Sequence, residues 1–274
     1  MRGNETSRWT GTIMAEAMTG PGPDTGELER KVKDMYRDVA ESPRGDYHFE
    51  MGRGLAEKLG YPSETLDRIP VGAIESFAGV GYFFDLADLR EGESVLDMGS
   101  GSGADVFFAA LQVGESGRVI GLDMTDEQIE KAERLRDEAG FDRVEFAKGR
   151  IEKLPFDAGS FDCVISNGVI NLSPEKDQVF REAARVLKPG GRLAIADIVT
   201  EKPLKESIVC DVDLWSSCIG GAAQHDAYHR LIEGAGLQVA EVRENETYEF
   251  ISDQAQSASA KYGVKSVSLL ALKR

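Results

Sequence analysis

The chain has 274 residues, a formal net charge of −16 and 41% hydrophobic residues. That length suits one large α/β domain with an extension, and no apolar run approaches the roughly 20 residues of a membrane span. The acid excess leaves no basic face for gripping nucleic acid and disfavours an anionic membrane surface. A small-molecule substrate is therefore expected, with no nucleic-acid or membrane partner, in a monomer or homodimer. The N-terminal segment lacks an uninterrupted apolar core, so no secretory leader is expected. Cys163, Cys210 and Cys218 form no C-x-x-C pair, and their odd number fits a reduced, cytoplasmic setting without a metal centre.

In chain order, residues 1–26 are rich in Gly, Pro, Thr and Ser and are expected to be flexible. Residues 27–92 form a helical extension. Its first helix, 27–43, places Leu28, Val32, Met35, Tyr36 and Val39 on one side. Short helices follow near 52–59 and 64–68, with a loop and another short helix over 70–92. From residue 93 to 274 strands and helices alternate. Strands are expected at 94–98, 118–122, 143–147, 161–166, 191–197, 237–243 and 265–272, and helices near 103–112, 126–138, 175–187, 208–218 and 225–235. That alternation predicts a doubly wound, mostly parallel α/β sheet of seven strands, with a substrate-side insertion at about 200–224. Lys188-Pro189-Gly190-Gly191 stops a helix and feeds the fifth strand.

The most informative stretch is Val95-Leu96-Asp97-Met98-Gly99-Ser100-Gly101-Ser102-Gly103, an apolar strand running into a triple-glycine turn. A second strand ends in Gly121-Leu122-Asp123. Together they build a nucleotide-type pocket at the carboxyl edge of a parallel sheet. Gly99, Gly101 and Gly103 let the backbone turn and a ligand approach, and Asp123 is placed to accept hydrogen bonds from both ribose hydroxyls. Glycine spacing alone does not exclude NAD, because Ala104 is tolerated where a dinucleotide site has its last glycine. Asp97 argues against it: a carboxylate there repels a pyrophosphate and suits the ammonium of S-adenosylmethionine.

The segments VLDMGSGSG, GLDMTDEQIEKA, LPFDAGSFDCVISN and VLKPGGRLAIAD resemble the motifs of class I S-adenosylmethionine-dependent methyltransferases over roughly residues 94–200. More narrowly, LGYPSETLDRIPVGA, SNGVINLSPEK and LWSSCIGGA are similar to arsenite methyltransferases. The resemblance implies a Rossmann-like fold whose last strand is antiparallel. The implied cofactor is S-adenosylmethionine, released as S-adenosylhomocysteine. It would place Asp97 toward the methionine ammonium, Met124 on one adenine face, Ile151 and Glu152 at the adenine edge, and Asn167 beside the methionine end. Tyr36 is a candidate lid residue, although simple packing of its helix is an equal alternative.

The substrate side departs from that pattern. Arsenite methyltransferases hold trivalent arsenic with cysteine thiolates, soft ligands for a soft centre. Val80 stands where one of those cysteines is expected, Gly168 where a second is, and only Cys218 is retained. Cys163, inside a strand, reads as core. The replacements are expected to widen and de-polarise the acceptor pocket, which suits an organic acceptor. Candidates for a base near the methyl are Asp197, at the end of the fifth strand, and His225 or His229. The leading expectation is methyl transfer to a small organic acceptor. Arsenite methylation through Cys218 with an external thiol, and a non-catalytic S-adenosylmethionine-binding role, are the alternatives.

Overall fold

The computed structural model describes residues 23–45, 47–216 and 219–274. Helix α1 (Thr25–Glu41) starts at Asp24, whose carboxylate accepts the Glu27 N–H as an N-cap. Thr25 and Gly26 are thus already helical, two residues inside the stretch expected to be flexible; residues 1–22 lie outside the described residues. Four short helices follow: α2 (Arg53–Leu59), α3 (Ser63–Leu66), α4 (Val71–Glu75) and α5 (Phe84–Ala87).

The alternating part then runs β1 (Ser94–Met98), α6 (Ala104–Val113), β2 (Arg118–Asp123), α7 (Asp126–Ala139), β3 (Val144–Lys148), β4 (Phe161–Asn167), a single 3-10 turn (Ile170–Leu172), α8 (Lys176–Val186) and β5 (Leu187–Thr200). It continues with α9 (Glu206–Val209), α10 (Val212–Ser216), β6 (Ala223–Gln224), α11 (His225–Gly234), β7 (Leu237–Glu244), α12 (Asp253–Tyr262) and β8 (Val264–Lys273). The helix expected over 208–218 is therefore two short helices interrupted at Asp211, and α12 was not foreseen. Strand β5 begins at Leu187, earlier than the 191 expected, because the Pro-Gly-Gly stretch is taken up as a register shift against β4 between Phe161 and Cys163.

Among the described residues the sheet order is β3-β2-β1-β4-β5-β8-β7, with two-residue β6 beside the end of β5. β8 is antiparallel to both β5 and β7, and the other pairings are parallel. The seven long strands match the expected doubly wound sheet. Alternate side chains of β1 and β4 point into two separate cores, as the period of two demands. On one face Val95, Cys163 and Ile165 meet Phe107 and Phe108 of α6 and the aromatic lead-in around Tyr61 and Phe83. On the other, Leu96, Met98 and Val164 meet Val179 and Phe180 of α8 and Tyr228 of α11. Each such buried apolar side chain contributes roughly 1.5–3 kcal/mol before entropy is counted.

A smaller third cluster positions the site. Leu28 and Val32 of α1 pack with Leu172, Val212 and Trp215, with Tyr36 and Met124 half-buried beside them. This apolar stripe lays α1 across the carboxyl edge of the sheet. The strand order reverses there, between β1 and β4, and open α/β sheets form their ligand crevices at such a point.

Candidate active site

The cleft beneath α1 has a volume of about 430 Å³ and is lined by Gly99, Gly101, Asp123, Met124, Ile151 and Glu152 from the sheet side and by Leu28, Val32 and Tyr36 from the helix. A narrow extension, about 60 Å³, runs down to Asp97, Asp105 and Asn167. The sequence-predicted Asp97, Gly99, Gly101, Asp123, Met124, Ile151, Glu152, Asn167 and Tyr36 all line one or other part.

The turn is made by glycines at φ +79, +52 and +92 at Gly99, Gly101 and Gly103, the left-handed region that side chains avoid. A Cβ on Gly99 would lie 2.5 Å from Val169, so a side chain there would close the junction between the two parts of the cleft. Gly103 itself packs beneath the turn, against Phe146 and Phe107. Asp123, at the tip of β2, accepts Gly101 N–H at 3.0 Å and Thr125 N–H at 2.9 Å, one on each carboxylate oxygen. Each oxygen keeps a lone pair for a diol. Below the turn, Ser102 donates to the Gln128 side-chain oxygen at 2.5 Å, and Gln128 donates to the Tyr36 carbonyl at 2.7 Å. The glycine turn and α1 are thus linked through one buried amide.

Asp97 is 2% exposed, and among the described residues no donor is found on its carboxylate. Burial, with Asp105 and Asp123 nearby, pushes its pKa well up. A buried acceptor without a donor is costly unless something else supplies the donor. An ammonium would supply it, and the open glycine cradle and the Asp123 oxygens would take a ribosyl group above it. The residues present therefore fit S-adenosylmethionine.

The sequence reading passed over Asp105, which lines the narrow extension, its partner Tyr61, and Lys176, which lies outside the lining. Asp105 accepts the Tyr61 hydroxyl at 2.6 Å and the Asn167 amide at 3.0 Å, and burial pushes its pKa up to about 6. Asn167 also accepts Val80 N–H at 2.8 Å and Gly81 N–H at 3.3 Å and donates to the Gly81 carbonyl at 3.1 Å. Asn167 therefore clamps the lead-in loop to the end of β4, with both ends of its amide engaged. Lys176 is buried under Trp215, 4.7 Å from the ring centroid, and donates to the Asn171 and Ser173 carbonyls. Burial pulls its ammonium down to about 8.

Two of the three proposed catalytic residues, Asp197 and His225, are not brought to the cleft. Asp197 is 1% exposed and accepts from Asn171 and the Tyr228 hydroxyl, both at 2.5 Å, and from Ile198 N–H at 2.8 Å. It ties the turn after β4 to α11 and does not line either part of the cleft. His225 lies outside that lining as well; its ring lies 4.3 Å from that of His229, tilted at 45°, and it meets the Asp226 carboxylate at 3.5 Å. Cys218 lies outside the described residues. Cys163 is fully buried in β4 and its thiol is pushed up to about 12 by burial, in keeping with core. Val80 and Gly168 do not widen the pocket as expected: Val80 is 2% exposed and fills the space beside Gly168. Glu152 accepts the Ser173 hydroxyl at 2.6 Å, so one of its oxygens is already occupied.

Residues 89–236 match the model of a methyltransferase domain, which is more than half of the chain. The chain belongs to the methyltransferase domain family. An arsenite methyltransferase of Halobacterium salinarum is 41% identical to it over 245 residues, covering 84% of this chain and 62% of that protein. The chain thus spans about three fifths of the length of that curated relative. Among solved structures, an arsenic(III) S-adenosylmethionine methyltransferase from Chlamydomonas reinhardtii superposes with a TM-score of 0.61 at 30% identity, over 82% of this chain and 75% of that one. A geranyl diphosphate C-methyltransferase from Streptomyces coelicolor shares the fold, with a TM-score of 0.65 at 17% identity, over 92% of this chain and all of that one. The cofactor of the family is S-adenosylmethionine.

Proposed function

We propose that this methyltransferase moves a methyl group from S-adenosylmethionine to a small organic acceptor. The observation that carries the cofactor assignment is the unpartnered, buried Asp97 beneath the glycine turn. In this reading Asp97 receives the ammonium, and Gly99, Gly101 and Gly103 shape the backbone floor. Asp123 takes the ribose hydroxyls, while Met124, Ile151 and Glu152 surround the adenine. Asn167 acts at one remove, holding the loop at Val80–Gly81 against the methionine end. When bound, S-adenosylmethionine supplies an activated methyl on a sulfonium, transferred by in-line displacement. The protein's part is alignment and exclusion of water. Leu28, Val32 and Tyr36 of α1 cover the cleft, and the Ser102–Gln128–Tyr36 link registers that cover on the cofactor turn. With Asp197 held by three donors and His225 outside the lining, no base is assigned.

The acceptor assignment rests on Val80 and Gly168. They stand where thiols are expected for trivalent arsenic, and they touch each other, so neither soft ligand is present at that spot. The similarity to arsenic methyltransferases of Halobacterium and Chlamydomonas favours a second reading, arsenite methylation through Cys218 and an external thiol. A crystal structure with S-adenosylhomocysteine tests the primary reading. The ligand is expected with its amine at Asp97 and its ribose at Asp123, beneath Leu28, Val32 and Tyr36 of α1. Binding elsewhere, or a nucleoside turned away from Asp123, overturns it.

A further inference from the structure

The methionine end of the cleft contains more negative charge than one ammonium subsite needs. Asp97 ends β1 and Asp105 lies in the first turn of α6; both are at least nine-tenths buried and both line the same narrow extension. Asp123 faces Asp97 from β2, Tyr61 and Asn167 face Asp105, and among the described residues no Lys, Arg or His lines this part of the cleft. The nearest ammonium on α7, Lys131, is spent on the Ser76 hydroxyl at the rim and on the Ala40 carbonyl. Two buried carboxylates without a counter-cation do not both ionise, and their protons come off as the property of the pair. Asp105 already has two donors that favour its anion, whereas Asp97 has none, so the shared proton resides on Asp97.

We propose that Asp105 is the second carboxylate of the ammonium subsite, and that the Asp97–Asp105 pair gives a proton to solvent as the amino-acid end of the cofactor binds. The inference rests on the cofactor assignment above. The charge balance is simple. Before binding, the pair holds one acid and one carboxylate. After binding, it holds two carboxylates and the ammonium, which keeps its own protons. The summed charge of the two side-chain carboxyls and the ammonium equals that of the pair before binding, the ligand's own α-carboxylate stays ionised throughout, and the proton from Asp97 leaves to the buffer. Each Asp105 oxygen accepts one protein donor and keeps a lone pair toward the cleft.

The test is calorimetric titration of the full chain at about pH 6.5 in buffers of different ionisation enthalpy. The two ligands are S-adenosylhomocysteine and methylthioadenosine, which keeps the nucleoside and lacks the amino-acid end. S-adenosylhomocysteine is expected to release roughly half to one proton more than methylthioadenosine. Its affinity should rise by up to about tenfold per pH unit between about pH 5.5 and 7, with methylthioadenosine flat. Asp105→Asn is expected to shrink the difference. Tyr61→Phe, which removes a donor to Asp105, should move the rise to higher pH while leaving the nucleoside ligand unaffected. Equal proton release and equal pH slopes for the two ligands overturn the inference. Failure of both ligands to bind overturns the cofactor assignment itself.

Discussion

Val80 and Gly168 meet beside Asn167: a Cβ built on Gly168 would lie 3.1 Å from a Val80 methyl, and Gly168 has φ +73. Two segments from opposite ends of the site, the lead-in loop and the residue after β4, thus converge on one spot, and Asn167 between them bonds Val80 N–H. Thiols at both positions would be neighbours, whereas the residues present give that spot only hydrocarbon.

This contact makes arsenite capture a matter of two side chains. Arsenic binds tightly when several thiolates act together, because each later bond closes at high effective concentration. The wild-type chain is expected to bind arsenite weakly. Val80→Cys combined with Gly168→Cys is expected to bind it at least about tenfold tighter by calorimetry. The left-handed backbone at 168 should cost the double variant about 1–2 kcal/mol of stability, read by thermal unfolding. Tight arsenite binding by the wild type, lost in Cys218→Ser, would mean that Cys218 completes a site by another route.

Asp123→Ala is expected to weaken S-adenosylhomocysteine by about 1.5–3 kcal/mol, roughly ten- to a hundredfold, because charge-assisted bonds to buried hydroxyls are lost. It also releases Gly101 and Thr125 N–H, so a melt accompanies the calorimetry. Unchanged affinity removes Asp123 from the ribose.

The cofactor floor was legible because it is local. Gly99, Gly101, Gly103, Asp97 and Asp123 belong to one strand–turn pattern and the strand beside it, and their chemistry follows from residue type and position. Asp105 was read only as a helical residue, since what makes it notable is Tyr61 and Asn167, remote in sequence. Lys176 escaped because backbone carbonyls carry no residue signal: it donates to those of Asn171 and Ser173, close by in sequence, and only the Trp215 ring is remote. Asp197 was expected at the end of the fifth strand, but β5 runs on to Thr200, so Asp197 lies inside it opposite Val267, and the donors that enclose it, Asn171 and Tyr228, come from other elements and carry no local signal. The missed helix α12, with sequence DQAQSASAKY, has small and polar residues where an amphipathic stripe is usually read. The break at Asp211 within 208–218 is likewise set by the turn that seats Trp215.

The stability of the free protein should carry the mark of Asp105. Its folded pKa, about 6, lies above the usual 3.8, so its contribution is fully present below about pH 4 and lost as pH rises through 6. That loss is on the order of 2–3 kcal/mol. The stability difference between wild type and Asp105→Asn should therefore change in that direction between about pH 4 and 7 in denaturant titrations, and a flat difference counts against a buried, protonating Asp105.

Gln128→Ala cuts the only buried side chain seen to join the glycine turn to α1 among the described residues. It leaves the Ser102 hydroxyl and the Tyr36 carbonyl without that partner. Cofactor affinity is expected to fall by about 1–2 kcal/mol, roughly five- to thirtyfold. Deletion through residue 45 should reduce turnover more than it reduces the melting temperature. Equal losses in both would make α1 a packing element and not a cover.

Transfer of labelled methyl from S-adenosylmethionine tests the central claim most directly, with the purified full chain offered phenols, quinones and amines on one side and arsenite with glutathione on the other. The account predicts label in at least one organic acceptor, negligible label in arsenic, and transfer to the organic acceptor largely intact in Cys218→Ser. Robust arsenic methylation with no label in any organic acceptor would contradict it.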